Sequence, residues 1–157
     1  MVKSRDNALV EDLILACTMK GVSSETAQRA VRALCRYYGG QMVYIPAKND
    51  TGRSAKTLRG VLADVVGDSA AGKILNKIIA LYGAMQLYIP REQKAFRKTI
   101  ALEIYARCDG DKCTMNDLAR EYNICTTAAY SLWRLGQHEK IKTAVPYLPF
   151  PEMAKIH

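Results

Sequence analysis

Gly39-Gly40-Gln41-Met42-Val43-Tyr44-Ile45-Pro46 returns in this chain as Gly83-Ala84-Met85-Gln86-Leu87-Tyr88-Ile89-Pro90. Each copy follows an amphipathic stretch that ends in tyrosine, Tyr38 in the first and Tyr82 in the second. Glycine stops the preceding helix, because it enters the left-handed region at little cost. The residues from Gln41 to Ile45 are β-prone, and Pro46 ends the run because it has no amide to donate. A strand this short cannot stand alone. Its expected partner within the chain is the second copy, Met85 to Ile89. The aligned units span 21–46 and 67–90. Two units are too few for a solenoid, so duplication of a dimerisation element accounts for them better. The expected fold class is mainly α with two short β-strands: duplicated helix-strand dimerisation-type units followed by a C-terminal helix-turn-helix.

Helical periodicity fills the space around the two strands. Leu9, Val10, Leu13, Ile14 and Cys17 recur at helical spacing and predict a first helix ending near Gly21. Ser23 or Ser24 is placed to cap the next helix, whose apolar stripe is Ala27, Ala30, Val31, Leu34, Cys35 and Tyr38. Arg29, Arg32 and Arg36 form a basic strip on another side of it, expected to face water by default, or phosphate. Residues 47–57 read as a polar, basic linker. Leu58, Val61, Leu62 and Val65 predict a short helix closed by Gly67, and Asp68 or Ser69 is expected to cap its successor, whose face is Ile74, Leu75, Ile78, Ile79 and Tyr82. After Pro90 one long helix is expected through Phe96, Ile100, Ile104 and Tyr105, stopping at Gly110.

The last helical pair carries the candidate chemistry. Thr114 is placed to cap a helix through Met115–Tyr122, Asn123 makes the turn, and Thr126 or Thr127 caps a second helix entered by Ile124. Leu118, Ala119, Tyr122, Ile124, Ala129 and Leu132 have the spacing of a helix-turn-helix core. Thr126, Thr127, Tyr130, Ser131 and Arg134 are then left on the outer face of the second helix, with side chains suited to base edges and phosphates in a major groove. Arg120, Arg134, Lys140 and Lys142 are candidate phosphate contacts, since long cations neutralise a nucleic-acid backbone. Trp133 is read as a core anchor.

Charge supports this reading. The chain carries a net +8. Residues 1–60 hold ten Lys/Arg against five Asp/Glu, residues 61–90 balance, and residues 91–142 hold ten against seven. Basic flanks around a neutral middle suit a protein that meets phosphate through its flanks. The five cysteines, Cys17, Cys35, Cys108, Cys113 and Cys125, include no CxxC pair, and His138 and His157 lack metal-site spacing. The cysteines are read as reduced, small buried apolar side chains of a cytoplasmic protein. No signal peptide, bilayer-length apolar run, Gly-rich phosphate loop, nucleophile elbow or metal-ligand cluster is visible. No enzyme activity, cofactor or membrane association is expected.

The stretch from Leu62 to Leu135 resembles the Mor transcription activator family, the middle-operon regulators of Mu-like phages. The matching pieces are Leu62-Ala63-Asp64-Val65-Val66-Gly67-Asp68-Ser69-Ala70-Ala71, the helix to Tyr82-Gly83, the strand with Tyr88-Ile89-Pro90, and Asn116-Asp117-Leu118-Ala119-Arg120-Glu121-Tyr122. The Gly-Gly-Gln and Tyr-Ile-Pro elements of the family stand more fully in the first copy, at Gly39-Gly40-Gln41 and Tyr44-Ile45-Pro46, while Gly83-Ala84-Met85 departs from them. The resemblance implies a dimer with intertwined N-terminal helices, short strands paired across a two-fold axis and a C-terminal helix-turn-helix. It also implies strands that approach the minor groove, which makes Gln86 and Tyr88 candidate DNA contacts with Gln41 and Tyr44 as counterparts.

Four segments are expected: a first helix-strand unit over 1–57, a second over 58–90, a linker helix with the helix-turn-helix over 91–142, and a Pro-rich tail over 143–157. The expected function is sequence-specific DNA-binding transcriptional regulation of phage or prophage origin. Its partners are double-stranded DNA and, as a second candidate, RNA polymerase. The assembly is a homodimer, or an intrachain pseudo-dimer in which the two strands of one chain pair. The alternative function is a non-enzymatic protein-interaction or assembly module that reuses the dimerisation scaffold.

Overall fold

A computed structural model describes residues 5–19 and 21–144. Contacts divide the chain into two compact units, one up to Phe96 and one from Arg97. The first unit runs α1 (Arg5–Thr18), α2 (Ser24–Tyr38), β1 (Gln41–Tyr44), α3 (Arg53–Val66), α4 (Asp68–Tyr82), β2 (Gln86–Ile89) and α5 (Glu92–Ala95). The second runs α6 (Arg97–Arg107), α7 (Lys112–Glu121) and α8 (Thr126–Ala144). The chain is mainly helical with two short strands, and those strands pair with each other in an antiparallel ribbon. The Pro-rich tail lies, from residue 145 onward, outside the described residues.

In the first unit α1 to α4 each contribute a stripe at helical spacing to one apolar core. Val10, Leu13 and Cys17 come from α1; Ala27, Ala30, Val31, Leu34 and Cys35 from α2; Ala55, Leu58 and Leu62 from α3; Ala71, Ile74, Leu75 and Ile78 from α4. Leu62, Ile74 and Leu75 are wholly removed from water, which stabilises by about 1.5–3 kcal/mol for each such side chain. The ribbon closes this core, with Val43, Ile45, Leu87 and Ile89 lining it alongside Leu34, Leu62 and Ile78.

Local signals decide where the helices start. Ser23 caps α2, its hydroxyl oxygen accepting from the amide of Thr26 at 3.2 Å. Gly67, not Asp68 or Ser69, stands at the head of α4 with no side-chain cap, and Asp68 is already helical. Gly67 both ends α3 and starts α4 at φ +84, a conformation open to glycine because it lacks a Cβ. The segment expected as a linker is shorter than 47–57, because α3 begins at Arg53 and buries Ala55. The long helix expected after Pro90 is broken at Phe96, which has φ −113 and separates α5 from α6.

Arg29, Arg32 and Arg36 do not form a simply solvated strip. Arg29 donates to the carbonyl of Val65 at 3.0 Å. Arg32 and Arg36 converge on Glu92, at 2.6 Å from Oε1 for Arg32 and 3.0 Å from both oxygens for Arg36. Burial alone would raise the Glu92 carboxyl, but hydrogen bonds from Arg36 and Arg32 outweigh it and hold the group below the usual carboxylate range. The same Arg32 guanidinium lies 6.0 Å from the centre of the Phe96 ring. The cluster fastens α5 to α2.

Candidate nucleic-acid interface

The second unit is built to present one long helix. Asp111, not Thr114, caps α7: its carboxylate accepts from the amide of Thr114 at 3.4 Å, and the helix starts at Lys112. Met115, Leu118 and Ala119 are its buried face. Tyr122 and Asn123 turn the chain, Asn123 adopting φ +52, which asparagine tolerates better than most residues. The amide of Ile124 then donates back to the carbonyl of Ala119 at 2.9 Å. The next helix begins at Thr126, whose hydroxyl donates to Asn116 Oδ1 at 3.2 Å and so ties α8 to α7.

Two further links hold α7 to α6. Arg107 meets Glu121 in a bidentate pair at 2.7 and 2.8 Å, a geometry in which both guanidinium N–H groups are aligned on the carboxylate. Tyr122 donates to Glu103 at 2.7 Å; burial and then this bond raise its phenol above the ordinary value.

One side of α8 is packed on α6. Ala129, Leu132 and Gly136 are buried. A Cβ on Gly136 would collide with the backbone of Ala101 and come within 2.7 Å of the Tyr105 Cβ, so the two helices approach as closely as backbones allow. Trp133 belongs to this side. Its indole donates to the carbonyl of Cys108 at 2.7 Å and its ring lies 5.8 Å from that of Tyr105.

The other side of α8 is a polar stripe. Thr127, Ser131 and Arg134 are exposed and Tyr130 is half-buried between them. Positions 127, 130, 131 and 134 share one helix face by their spacing. Thr126 sits apart from this group, half-buried on Asn116. Ser131 donates to the carbonyl of Thr127 at 3.1 Å, which leaves its oxygen lone pairs outward. The face continues through Gln137 and His138, both exposed; extending the same spacing by one turn along the sequence would have found them. Arg120 is 85% exposed, with Asp117 at 4.0 Å. Lys140 is exposed, and Lys142 lies 3.7 Å from Glu139, which also has Lys98 at 4.0 Å.

The strand candidates divide by register. Met42 faces Tyr88 and Tyr44 faces Gln86, and alternation puts these four on the outer side of the ribbon. Tyr44, Gln86 and Tyr88 are exposed there. Gln41 faces Ile89 and shares the side of Val43, so it lies at the core-facing edge, although it is itself exposed at the strand start.

Among the described residues, no group of three His, Cys, Asp or Glu side chains converges as a metal site, and no helix is long and apolar enough to cross a membrane. Cys17, Cys35 and Cys108 are buried thiols as expected, whereas Cys113 and Cys125 are exposed and correct the expectation that all five are buried.

No curated protein and no solved structure matches the chain. Residues 48–148, well over half of it, match the model of the Mor transcription activator family, and the chain belongs to that family.

Proposed function

We propose that this member of the Mor transcription activator family is a sequence-specific DNA-binding regulator of phage or prophage origin, and that α7 and α8 form its helix-turn-helix. The single observation that carries the reading is the two-sidedness of α8. Ala129, Leu132 and Gly136 anchor it, while Thr127, Tyr130, Ser131 and Arg134 stand together on the opposite, accessible face. In the major groove Arg134 offers a bidentate donor to guanine or a phosphate, the hydroxyls of Thr127 and Tyr130 offer both donors and acceptors, and that of Ser131, its hydrogen given to the Thr127 carbonyl, offers an acceptor. Arg120, Lys140 and Lys142 supply charge to the sugar-phosphate backbone. Thr126 positions the helix through Asn116 instead of reading bases. The family description supports activation of transcription, with RNA polymerase as the partner that activation requires.

The experiment is an electrophoretic shift with fragments upstream of genes neighbouring its own. A shifted fragment that survives competitor DNA supports the reading; no shift with any fragment at low salt rules it out.

A second reading is favoured by one observation. Met42, Tyr44, Met85 and Tyr88 are each about half exposed on or beside the ribbon, which suits a protein-interaction module. Under that reading, substitution of Tyr130 and Arg134 would leave activity intact while substitution of Met42 and Tyr88 would abolish it.

A further inference from the structure

We infer that residues 5–46 occupy the place of a second copy of residues 53–90, so that one molecule closes its own two-fold interface and carries a single reading helix. The register of the ribbon carries this. Aligning the repeated octapeptides makes Val43 the counterpart of Leu87, and these two face each other. Met42 faces Tyr88, the counterpart of Tyr44, while Tyr44 faces Gln86, the counterpart of Met42. Gln41 faces Ile89, the counterpart of Ile45, and the amide of Ile45 donates at 2.9 Å to Met85, the counterpart of Gln41. Residue i thus meets j, and the equivalent of j meets the equivalent of i. That reciprocity defines a contact made about a two-fold axis between identical surfaces, and here the axis passes between Val43 and Leu87.

The backbone repeats along with the pairing. Gly39 and Gly83 share φ −55, with ψ 125 and 139. The next residues, Gly40 and Ala84, both take positive φ, 83 and 62. Alanine keeps that shape without the freedom of glycine, so the turn is retained where its usual residue is not. Upstream, α2 and α4 are both 15 residues long, and a positive-φ glycine, Gly21 or Gly67, stands between the helices of each pair.

The two copies diverge downstream of their prolines. After Pro90 the chain continues to α6, α7 and α8; after Pro46 it continues to α3. The edge of β2 that an identical copy would pair with is filled by β1, and Val43 and Ile45 seal the core that such a copy would cover. One molecule therefore brings one α8 to its target. Resting on the regulator reading above, this implies an asymmetric binding site spanning a single half-site, in place of an inverted repeat.

Two measurements on the full chain test the inference without DNA, so failure to bind DNA would sink the regulator reading and leave this one standing. The first is the mass in solution across micromolar concentrations. The expected result is the single-chain mass, 17.5 kDa, at every concentration; twice that value overturns the inference. The second is a cross-strand cysteine pair, Met42→Cys with Tyr88→Cys, in a chain where the exposed Cys113 and Cys125 are changed to serine. Both new positions are on the outer side of the ribbon, where substitution spares the core. Oxidation is expected to give a faster-migrating monomer on a non-reducing gel. A covalent dimer, or no disulfide at all, would contradict the intrachain register.

Discussion

The indole nitrogen of Trp133 donates to the carbonyl of Cys108 across 2.7 Å. This bond joins α8 to the residue just past the last turn of α6, and it lies on the side of α8 that carries Leu132 and Gly136. Trp133 therefore sets the orientation of the outer stripe without belonging to it. Trp133→Phe keeps most of the apolar volume but orphans the carbonyl of buried Cys108, at a cost of about 1–3 kcal/mol. Thermal unfolding followed by circular dichroism should show a lower midpoint. DNA affinity measured well below that midpoint should be unchanged.

Gly136 lies where α8 crosses the backbone of Ala101. Gly136→Leu would improve helix propensity by roughly 0.5–1 kcal/mol yet forces a side chain into backbone atoms that cannot step aside. Overpacking of this kind costs about 1–3 kcal/mol, occasionally more, so packing wins over propensity. Urea denaturation should show a lower midpoint for this variant and little change for leucine at exposed Gln137.

Glu92 makes stability depend on acid. Its carboxyl sits below the ordinary value of 4.5 when folded, so the unfolded chain takes up the proton first. The contribution of Glu92 is complete above about pH 4.5. It fades as the pH falls through the lower, folded-state value. Glu92→Gln removes a charged acceptor from Arg32 and Arg36 and should cost about 2 kcal/mol at pH 7. The gap between wild type and variant should narrow below pH 4 in denaturant titrations; a gap independent of pH would contradict the arrangement.

The thiols should separate by exposure. Burial, with the Glu92 charge as a lesser cause, pushes the Cys35 thiol up to about 12, and burial also raises Cys17. A thiol held protonated and out of water is a poor nucleophile. Disulfide reagents at pH 7–8 should label Cys113 and Cys125 in the native protein, and Cys17, Cys35 and Cys108 only after unfolding.

The ribbon could be read from the sequence because its signals are local. Glycines open each copy, a proline closes it, and a four-residue strand needs a partner. The turn at Asn123 and the packing of Ala129 and Leu132 come from local spacing in the same way. Other features depend on distance or on a tie between equals. Asp111 and Thr114 have equivalent capping chemistry three residues apart, and only the path out of Gly110 selects Asp111. The break at Phe96 has no Pro or Gly to announce it. Arg32 and Arg36 find their carboxylate at Glu92, far along the chain, so their strip reads as solvated until the fold brings α5 across. Gln41 lies on the side of Val43 by alternation, and that side becomes the core side only once the ribbon packs on the helices. Thr126 reads as a groove contact by position alone, yet its hydroxyl is committed to Asn116.

The central claim is that the outer face of α8 reads DNA. A fluorescence-anisotropy titration tests it most directly, with a duplex taken from the shifted fragment and with single-base variants of it, against the wild type and Arg134→Ala. The account predicts that Arg134→Ala weakens binding by about 1–3 kcal/mol and loses discrimination at one base pair, while Arg120→Ala weakens all sequences alike and lowers the salt slope by roughly one. Equal affinity of wild type and Arg134→Ala for every duplex would contradict it.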